Sequence, residues 1–294
     1  MSDFVQQQNT VCDFSSSESW VILSPIEQSI KRKIEAVGTP LKDWDIQINY
    51  GIKTGFNDAF IISTEKRNEI LANCKDEDER KRTTELIRPI LRGRDIKRYG
   101  YEWANLWLIY IPWHFPYQFD DSIQGASEIA EKAFMEQYPA VYSHMLQYKE
   151  PLSKRNKAET GIRYEWYAMQ RWGAKYWEDF SKPKIIYPET TQGAYFAYDN
   201  KGFYIDKTCF MLIADDAEYL QHTLSSRLFE FAYKRIFASV ELGEHGYQYN
   251  KHALIKLPII KPSKSLNLDL KNVDEQIYKL YGIINEEIRE IESN

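Results

Sequence analysis

The sequence contains a polar turn whose side chains could hold a phosphate or the edge of a base. Lys53 offers a cation, Thr54 a hydroxyl and Asn57 an amide, and two glycines in the turn allow the backbone to approach a ligand closely. Apolar and polar residues alternate over 46–50, which is the spacing of a strand, and an apolar run follows the turn at 60–62. We therefore predict a strand, a binding turn and a second strand, although turns of this kind occur in many folds.

A basic segment at residues 88–98 is the second candidate. It has one glycine between two arginines, so its backbone could come close to a ligand while the guanidinium groups bind phosphate or read guanine through paired hydrogen bonds. A solvated turn with its charges in water explains the same residues equally well, and the sequence leaves both interpretations open. The candidate contacts in this segment are Arg92, Arg94, Lys97 and Arg98.

The third candidate region runs from 152 to 184, where tyrosines and tryptophans are interleaved with lysines and arginines. Aromatic and cationic side chains together suit the bases and the backbone of DNA. We expect some of the tryptophans to lie in the core and the basic side chains to face out. A polar loop at 190–192 follows, where a glutamine could pair with adenine. The candidate contacts here are Arg171, Lys182, Lys184, Thr191 and Gln192.

Motifs of the common catalytic centres do not occur in the sequence. It has no GxGxxG loop for S-adenosylmethionine, no Asn/Asp-Pro-Pro-Tyr/Phe tetrad, no P-loop and no Gly-x-Ser-x-Gly elbow. Asp43 and Asp45 are not followed by the Glu-x-Lys of a metal-dependent nuclease. The His/Glu cluster at 241–252 contains a glycine and has no helical pair of histidines, which disfavours metal ligation. We expect neither a catalytic residue nor a metal or cofactor site on this chain.

The charge of the chain is distributed unevenly. The net charge of −5 over 294 residues argues against a free-standing nucleic-acid binder, which is usually basic. Residues 80–98, however, carry eight basic and two acidic side chains, whereas residues 265–294 carry three basic and seven acidic ones. A basic patch beside an acidic tail fits a protein that uses one face for DNA.

The three cysteines are scattered and form no CxxC pair, which indicates a reducing compartment and so the cytoplasm. No apolar run approaches the ~20 residues of a membrane span, and we expect no membrane partner.

The elements that must position these residues follow from the hydrophobic pattern. Residues 1–19 form a polar linker or disordered start, Ser24 caps a helix that ends before Gly38, and 122–156 is a helical stretch interrupted by prolines. The residues 199–202 have the composition of a hairpin turn. The predicted strands are 107–111, 184–187, 194–198, 203–205, 209–213 and 257–260, and the later helices are 217–237 and 273–291. Clustered strands separated by helices indicate an α+β fold with a mixed or antiparallel sheet, flanking helices and a C-terminal helix.

The order of several motifs resembles the TaqI-like C-terminal specificity domain of type IIG and other type II adenine-specific restriction-modification methyltransferases. The resemblance extends from about Trp20 to Glu292. The segments that carry it are 20–23, 34–44, 51–60, 88–97, 109–112, 182–187, 277–282 and 286–292. It implies a DNA target-recognition domain at 20–262, with the helical stretch as an insertion, and a C-terminal helix at 263–294.

The resemblance implies that this chain recognises a site in double-stranded DNA. Methyltransferase and nuclease domains of the parent enzyme would be its protein partners, and S-adenosylmethionine and Mg²⁺ would bind to those catalytic parts. The chain would then be an excised fragment or a separately encoded half.

Three alternatives stay open at this point. One is a single-unit specificity subunit of a type I-like system, since such subunits contain two similar units and this chain has room for one. The second is an interaction module whose aromatic side chains bind protein or carbohydrate. The third is a small nuclease, which would have to show metal-dependent cleavage.

Overall fold

A computed structural model describes residues 23–237, 241–242, 246–262 and 268–293 of the chain. The predicted polar start at 1–19 lies outside these ranges.

The first helix shows how the local sequence sets an element. Ser24 Oγ accepts a hydrogen bond from the backbone N–H of Glu27 (3.3 Å), and the Glu27 carboxylate accepts one from the N–H of Ser24 (2.7 Å). Ile30 and Ile34 lie on one face of the helix and are fully buried. The predicted capped helix is confirmed.

The helices in the described ranges are numbered in chain order. They are α1 Pro25–Val37, α2 Asn57–Phe60, α3 Thr64–Ala72, α4 Glu77–Leu86, α5 Glu128–Gln137, α6 Pro139–Leu146, α7 Lys149–Ser153, α8 Ala217–Leu224, α9 Arg227–Ala232, α10 Lys251–Leu254, α11 Val273–Leu280 and α12 Asn285–Ser293. A π-helical turn, Tyr233–Phe237, follows α9, and 3₁₀ turns occur at Leu41–Asp43, Gly93–Asp95 and Trp177–Ser181.

The strands are mostly short. They are β1 Thr39–Pro40, β2 Gln47–Tyr50, β3 Ile61–Ser63, β4 Ile87–Leu91, β5 Ile96–Lys97, β6 Gly100–Tyr101, β7 Leu106–Ile109, β8 Lys184–Pro188, β9 Thr190–Thr191, β10 Ala197–Asp199, β11 Tyr204–Ile205, β12 Cys209–Ile213, β13 Glu241–Leu242, β14 Gly246–Gln248 and β15 Pro258–Ile259.

Two four-stranded sheets form the centre of the molecule. The central sheet is antiparallel with the order β10-β8-β12-β2, and its register pairs Met211 with both Ile186 and Asn49. The second sheet has the order β11-β4-β7-β3 and is mixed, because β11 runs parallel to β4. Helices together with one antiparallel and one mixed sheet confirm the predicted α+β class.

The central sheet is covered on both faces, which explains its continuous apolar strands. In β8, Ile185 and Tyr187 pack against the core formed with α1, α8, α9, α11 and α12. The alternate residue, Ile186, packs against the core formed with the second sheet, α5 and α6. The order of layers is therefore helices, central sheet, second sheet and helices.

Several predicted boundaries need correction. Residues 199–202 are not a hairpin turn, because β10 belongs to the central sheet and β11 to the second sheet. The helix predicted at 217–237 is divided at Ser225, where α8 ends, and the one at 273–291 is divided at Gly282. The stretch at 122–156 contains helices α5 to α7, and a proline begins α6 as its first residue.

Tyr187 supplies a test of this core. Its side chain is fully buried, its ring stacks on Phe210 with 5.3 Å between centroids, and its hydroxyl has no hydrogen-bond partner among the described residues. We expect Tyr187→Phe to leave the free energy of unfolding at pH 7 unchanged or to raise it by about 1 kcal/mol, because a buried hydroxyl without a partner costs stability. Chemical denaturation followed by circular dichroism measures this.

The same substitution should flatten the alkaline limb of the stability curve. Burial raises the pKa of Tyr187 well above its ordinary value, so the stability that its neutral form contributes is complete below pH 10 and is lost as the pH rises. Tyr233→Phe is the matched control, since its hydroxyl donates to the Gln248 carbonyl at 2.7 Å and its loss should cost about 1 kcal/mol. A similar cost at Tyr187 would contradict the packing described here.

Candidate nucleic-acid interface

One cleft collects half of the predicted contact residues. It has a volume of about 790 Å³ and lies where the turn after β4, the loop after β8 and the turn before β12 meet. We call it the main cleft. Its basic side chains are Arg92, Arg94, Lys97 and Lys207, its acidic ones are Glu189 and Asp206, and its other polar side chains include Asn57, Thr190, Thr191, Gln192 and Thr208.

The four basic side chains of the main cleft are not equivalent. Arg92 is held by Asp95 through hydrogen bonds of 3.0 and 2.8 Å, and these bonds raise the pKa of Arg92. Arg94 and Lys207 are exposed, and Lys97 is exposed with Glu102 3.9 Å away. Arg94, Lys97 and Lys207 are therefore the cations that a ligand in the main cleft can reach.

Gly93 approaches the protein itself rather than an open ligand site. Its N–H donates to Thr208 Oγ1 at 2.8 Å, and a Cβ at this position would lie 3.0 Å from the same oxygen. The prediction that this glycine lets the backbone approach a ligand is corrected, because the turn before β12 occupies that space.

Asp206 is the buried acid of the main cleft. Burial raises the pKa of its carboxyl, while hydrogen bonds from Thr208 and the charge of Arg92 act in the opposite direction.

The loop after β8 brings both Gln192 and Thr191 to the main cleft, but the two side chains differ in exposure. Gln192 is exposed, whereas Thr191 is 7% exposed and its hydroxyl donates to the Gly193 carbonyl at 3.0 Å. The pairing of Thr191 with Tyr247 in β14 fixes the loop. Gln192 can therefore reach a base, while Thr191 shapes the loop.

The turn predicted at 51–57 is divided between core and surface. Thr54 is 3% exposed and its hydroxyl donates to Asn57 Oδ1 at 2.6 Å, so the expected ligand contact by Thr54 is corrected to an internal one. Asn57 is exposed in the main cleft, and Lys53 is partly exposed. Gly51 packs against the Asp206 carbonyl, which a Cβ would meet at 2.0 Å. The region predicted as a strand at 60–62 becomes α2 followed by β3.

Arg171 lies in a second cleft, of about 510 Å³, beside the edge strand β2. Its backbone pairs with Lys53 through hydrogen bonds of 2.8 and 3.0 Å, and its side chain is exposed. Trp113, Trp172 and Tyr176 line this cleft together with the exposed Lys175. The predicted mixture of aromatic and basic side chains is present here.

Arg98 lies in a neighbouring cleft of about 380 Å³ on the helical side. Adjacent residues in an extended segment point to opposite sides, so Lys97 reaches the main cleft and Arg98 does not. The guanidinium of Arg98 lies 3.8 Å from Glu230 and 3.7 Å from Asp274. The acidic C-terminal segment thus faces part of the basic segment.

The expected outward orientation is found for Lys182 and is wrong for Lys184. Lys182 is exposed and pairs with Asp179 at 2.8 Å. Lys184 is fully buried, and its ammonium donates to Asp199 Oδ2 at 2.6 Å and to the Phe180 carbonyl at 2.6 Å. The buried acid and carbonyl draw the side chain inward, so Lys184 cannot contact DNA.

Sequence reasoning missed Arg155, Lys175 and Lys207. Arg155 is 8% exposed and donates to four backbone carbonyls. A basic residue next to the exposed Lys154 gives no sign of burial in the sequence. Lys207 could have been found, because it occupies the turn directly before the apolar strand β12.

The described part of the chain has no group of three or more His, Cys, Asp or Glu side chains that could hold a metal ion. Of the predicted His/Glu cluster, residues 243–245 lie outside the described ranges. None of the helices that the structure describes is long and apolar enough to cross a bilayer.

Comparisons with known proteins give this geometry a context. The family model of the TaqI-like C-terminal specificity domain matches residues 88–259. Curated protein sequences give no match. The chain is similar in structure to the type IIL restriction-modification enzyme MmeI, solved in complex with DNA, with 15% identity, a TM-score of 0.50, and coverage of 86% of this chain and 35% of MmeI. It is also similar to the type IIG restriction endonuclease BpuSI, with 12% identity, a TM-score of 0.43, and coverage of 89% and 28%.

The fold is that of a part of a restriction-modification enzyme, since the chain superimposes on about a third of MmeI. The chain belongs to the family of TaqI-like C-terminal specificity domains, whose model covers more than half of its residues. The resemblance drawn from the order of the sequence motifs is thereby confirmed.

Proposed function

We propose that this chain recognises a specific site in double-stranded DNA through the main cleft. The observation that carries the proposal is the convergence of Arg94, Lys97, Lys207, Gln192 and Asn57 from separate loops into one cleft. Three exposed cations can bind phosphates, and two exposed amides can read base edges. The chain's membership of a specificity-domain family supports this assignment.

The second cleft extends the proposed contact surface. Arg171 and Lys175 carry positive charge next to the rings of Trp113 and Tyr176, a combination that suits a phosphate backbone and its bases. Lys53 connects the two clefts. Its backbone pairs with that of Arg171 in the second cleft, and Asn57, four residues further along the chain, lines the main cleft. A duplex lying across both clefts would meet cations in each of them.

We further propose that the chain works with the methyltransferase and nuclease domains of an adenine-specific restriction-modification enzyme in the cytoplasm. S-adenosylmethionine and Mg²⁺ would bind to those domains, and the catalysis would belong to them. The chain covers only 35% of MmeI, which is consistent with a role as one part of such an enzyme. An upstream reading frame with an Asn-Pro-Pro-Tyr tetrad would favour this over a type I-like specificity subunit.

Charge removal in the main cleft tests the DNA proposal. We expect Arg94→Gln and Lys97→Gln each to weaken duplex binding and to reduce the slope of log K against log salt by about 1, because each cation neutralises about one phosphate. Fluorescence anisotropy with a labelled duplex between 50 and 200 mM salt measures both quantities.

Lys132→Gln is the control for these variants. Lys132 is 73% exposed on α5, away from the main cleft, and its removal changes the net charge equally. If all three variants changed the slope alike, binding would depend on net charge alone. Salt-insensitive binding that is lost with aromatic substitutions would instead favour a protein or carbohydrate ligand.

A further inference from the structure

A separate aromatic cleft lies at the opposite end of β4 from the main cleft. Arg88 near the start of the strand lines this cleft, and Arg92 just after its end lines the main cleft. Four residues of extended chain separate the two by about 13 Å. The aromatic cleft is therefore distinct from the main cleft, and it shares Trp172 with the second cleft.

The walls of the aromatic cleft are flat rings. Phe119 is 61% exposed, and its ring lies 5.3 Å from that of Trp177 and 6.4 Å from that of Trp172. Tyr110 and Tyr204, which also line the cleft, lie 5.0 Å apart. The volume is about 290 Å³, at the lower limit of ligand pockets, so it admits one planar ring system rather than a duplex or a folded partner.

Two side chains that contain polar atoms without partners line the same cleft. Gln118 Oε1 and Arg82 Nε are shielded from solvent, and neither has a hydrogen-bond partner in the part of the chain that the structure describes. A shielded acceptor and a shielded donor are unfavourable unless something else satisfies them. Arg88 is exposed at the same cleft and makes no ion pair with the described residues, so it can receive an anion.

We propose that the aromatic cleft binds a single unpaired nucleobase of a nucleotide. A base offers a flat face to the exposed ring of Phe119, an amino or imino hydrogen to the side chain of Gln118, and an acceptor to the guanidinium of Arg82. The nucleotide's phosphate pairs with Arg88. This site goes beyond the proposed duplex contact and does not rest on it, because a fully paired duplex presents no free base.

Titration with deoxyadenosine monophosphate tests the proposal, read by tryptophan fluorescence, since Trp172 and Trp177 line the cleft. We expect saturable binding that deoxyribose 5-phosphate, which has no base, does not reproduce. Phe119→Ala should weaken binding at least about fivefold, because an aromatic ring stacked on a base is removed. Phe119 is mostly exposed, so this variant should fold, and Gln118→Leu gives a second test of the base edge.

Lys132→Gln, whose side chain lines neither the main cleft nor the aromatic cleft, is the control and should leave mononucleotide binding unchanged. A duplex with one unpaired adenine, compared with a fully paired duplex, identifies the source of the base. If the duplex with an unpaired adenine displaces the mononucleotide and the fully paired duplex does not, the site binds a base of a DNA strand. If neither duplex displaces the mononucleotide, the site binds a free nucleotide. Equal binding of sugar phosphate and nucleotide, no saturable binding, or an unaffected Phe119→Ala variant would overturn the proposal.

Discussion

Replacing Lys184 by methionine is expected to lower the free energy of unfolding by about 3–5 kcal/mol, because it leaves the carboxylate of Asp199 buried without a counter-charge. Both side chains are 0% exposed. Burial lowers the pKa of Lys184, and the charge and hydrogen bond of Asp199 act in the opposite direction. Urea denaturation at pH 7 measures the loss.

The effect should be large because Asp199 also organises the passage between the two sheets. Its carboxylate accepts hydrogen bonds from the N–H groups of Lys201 and Phe203, both at 2.9 Å. These bonds shape the turn that leaves β10 in the central sheet and enters β11 in the second. Displacement of this carboxylate would release the turn, and the loss should therefore exceed that of a local contact.

Lys182→Met is the matched control, since it removes a lysine two residues away that also pairs with an aspartate. Its side chain is 53% exposed and Asp179 keeps the hydrogen bond that Asn49 donates, so we expect a much smaller loss, of about 1 kcal/mol or less. The double variant Lys184→Met with Asp199→Asn should recover part of the stability, because asparagine still accepts hydrogen bonds from the turn and carries no charge. A loss at Lys184 no larger than that at Lys182 would contradict the role of the buried pair.

These two lysines show where the sequence is informative and where it is not. The apolar run after Lys184 predicts a buried strand, and β8 is found there. The orientation of the lysine itself depends on Asp199, which reaches it only because β10 pairs with β8. Pairing between strands is a long-range property, so no local pattern distinguishes Lys184 from Lys182.

The basic segment at 88–98 also shows that the local sequence predicts a region but not the orientation of each side chain in it. Its composition predicts a cationic surface, and Arg94 and Lys97 are exposed in the main cleft. Residues distant in sequence determine which of these cations are available to a ligand. Arg98, for example, faces Glu230 and Asp274 in the helical layer. Sequence reasoning thus located the region of the cleft, while tertiary packing decides which cations a ligand can reach.

Arg155→Met is expected to lower the free energy of unfolding by about 2–4 kcal/mol. The guanidinium donates to the carbonyls of Thr54, Trp166 and Ala168 at 2.6, 2.7 and 2.7 Å, and to that of Leu152 at 3.0 Å. Charged hydrogen bonds of this kind contribute about 1.5–3 kcal/mol each, although not additively. Removing a buried charge offsets part of the loss, since burial lowers the pKa of Arg155 to about 10.

The loss of Arg155 should also weaken DNA binding at the proposed surface. Its four acceptors lie in the turn at 51–57, the end of α7 and the segment 164–172, so one side chain joins the two stretches that carry Lys53 and Arg171. We expect duplex affinity of the folded variant to fall even though Arg155 itself is buried. Thermal denaturation and anisotropy on the same samples separate the loss of folding from the loss of binding.

Lys154→Met and Arg155→Lys are the control variants for this prediction. Lys154 is 67% exposed and pairs with Glu150, so its removal should change neither quantity measurably. Lysine at 155 keeps the charge but concentrates its donors on one atom, which cannot reach carbonyls in three segments, so its stability should lie between wild type and Arg155→Met. If lysine restored full stability, charge rather than the arrangement of the four hydrogen bonds would explain Arg155, and the coupling between turn 51–57 and segment 164–172 would need another source.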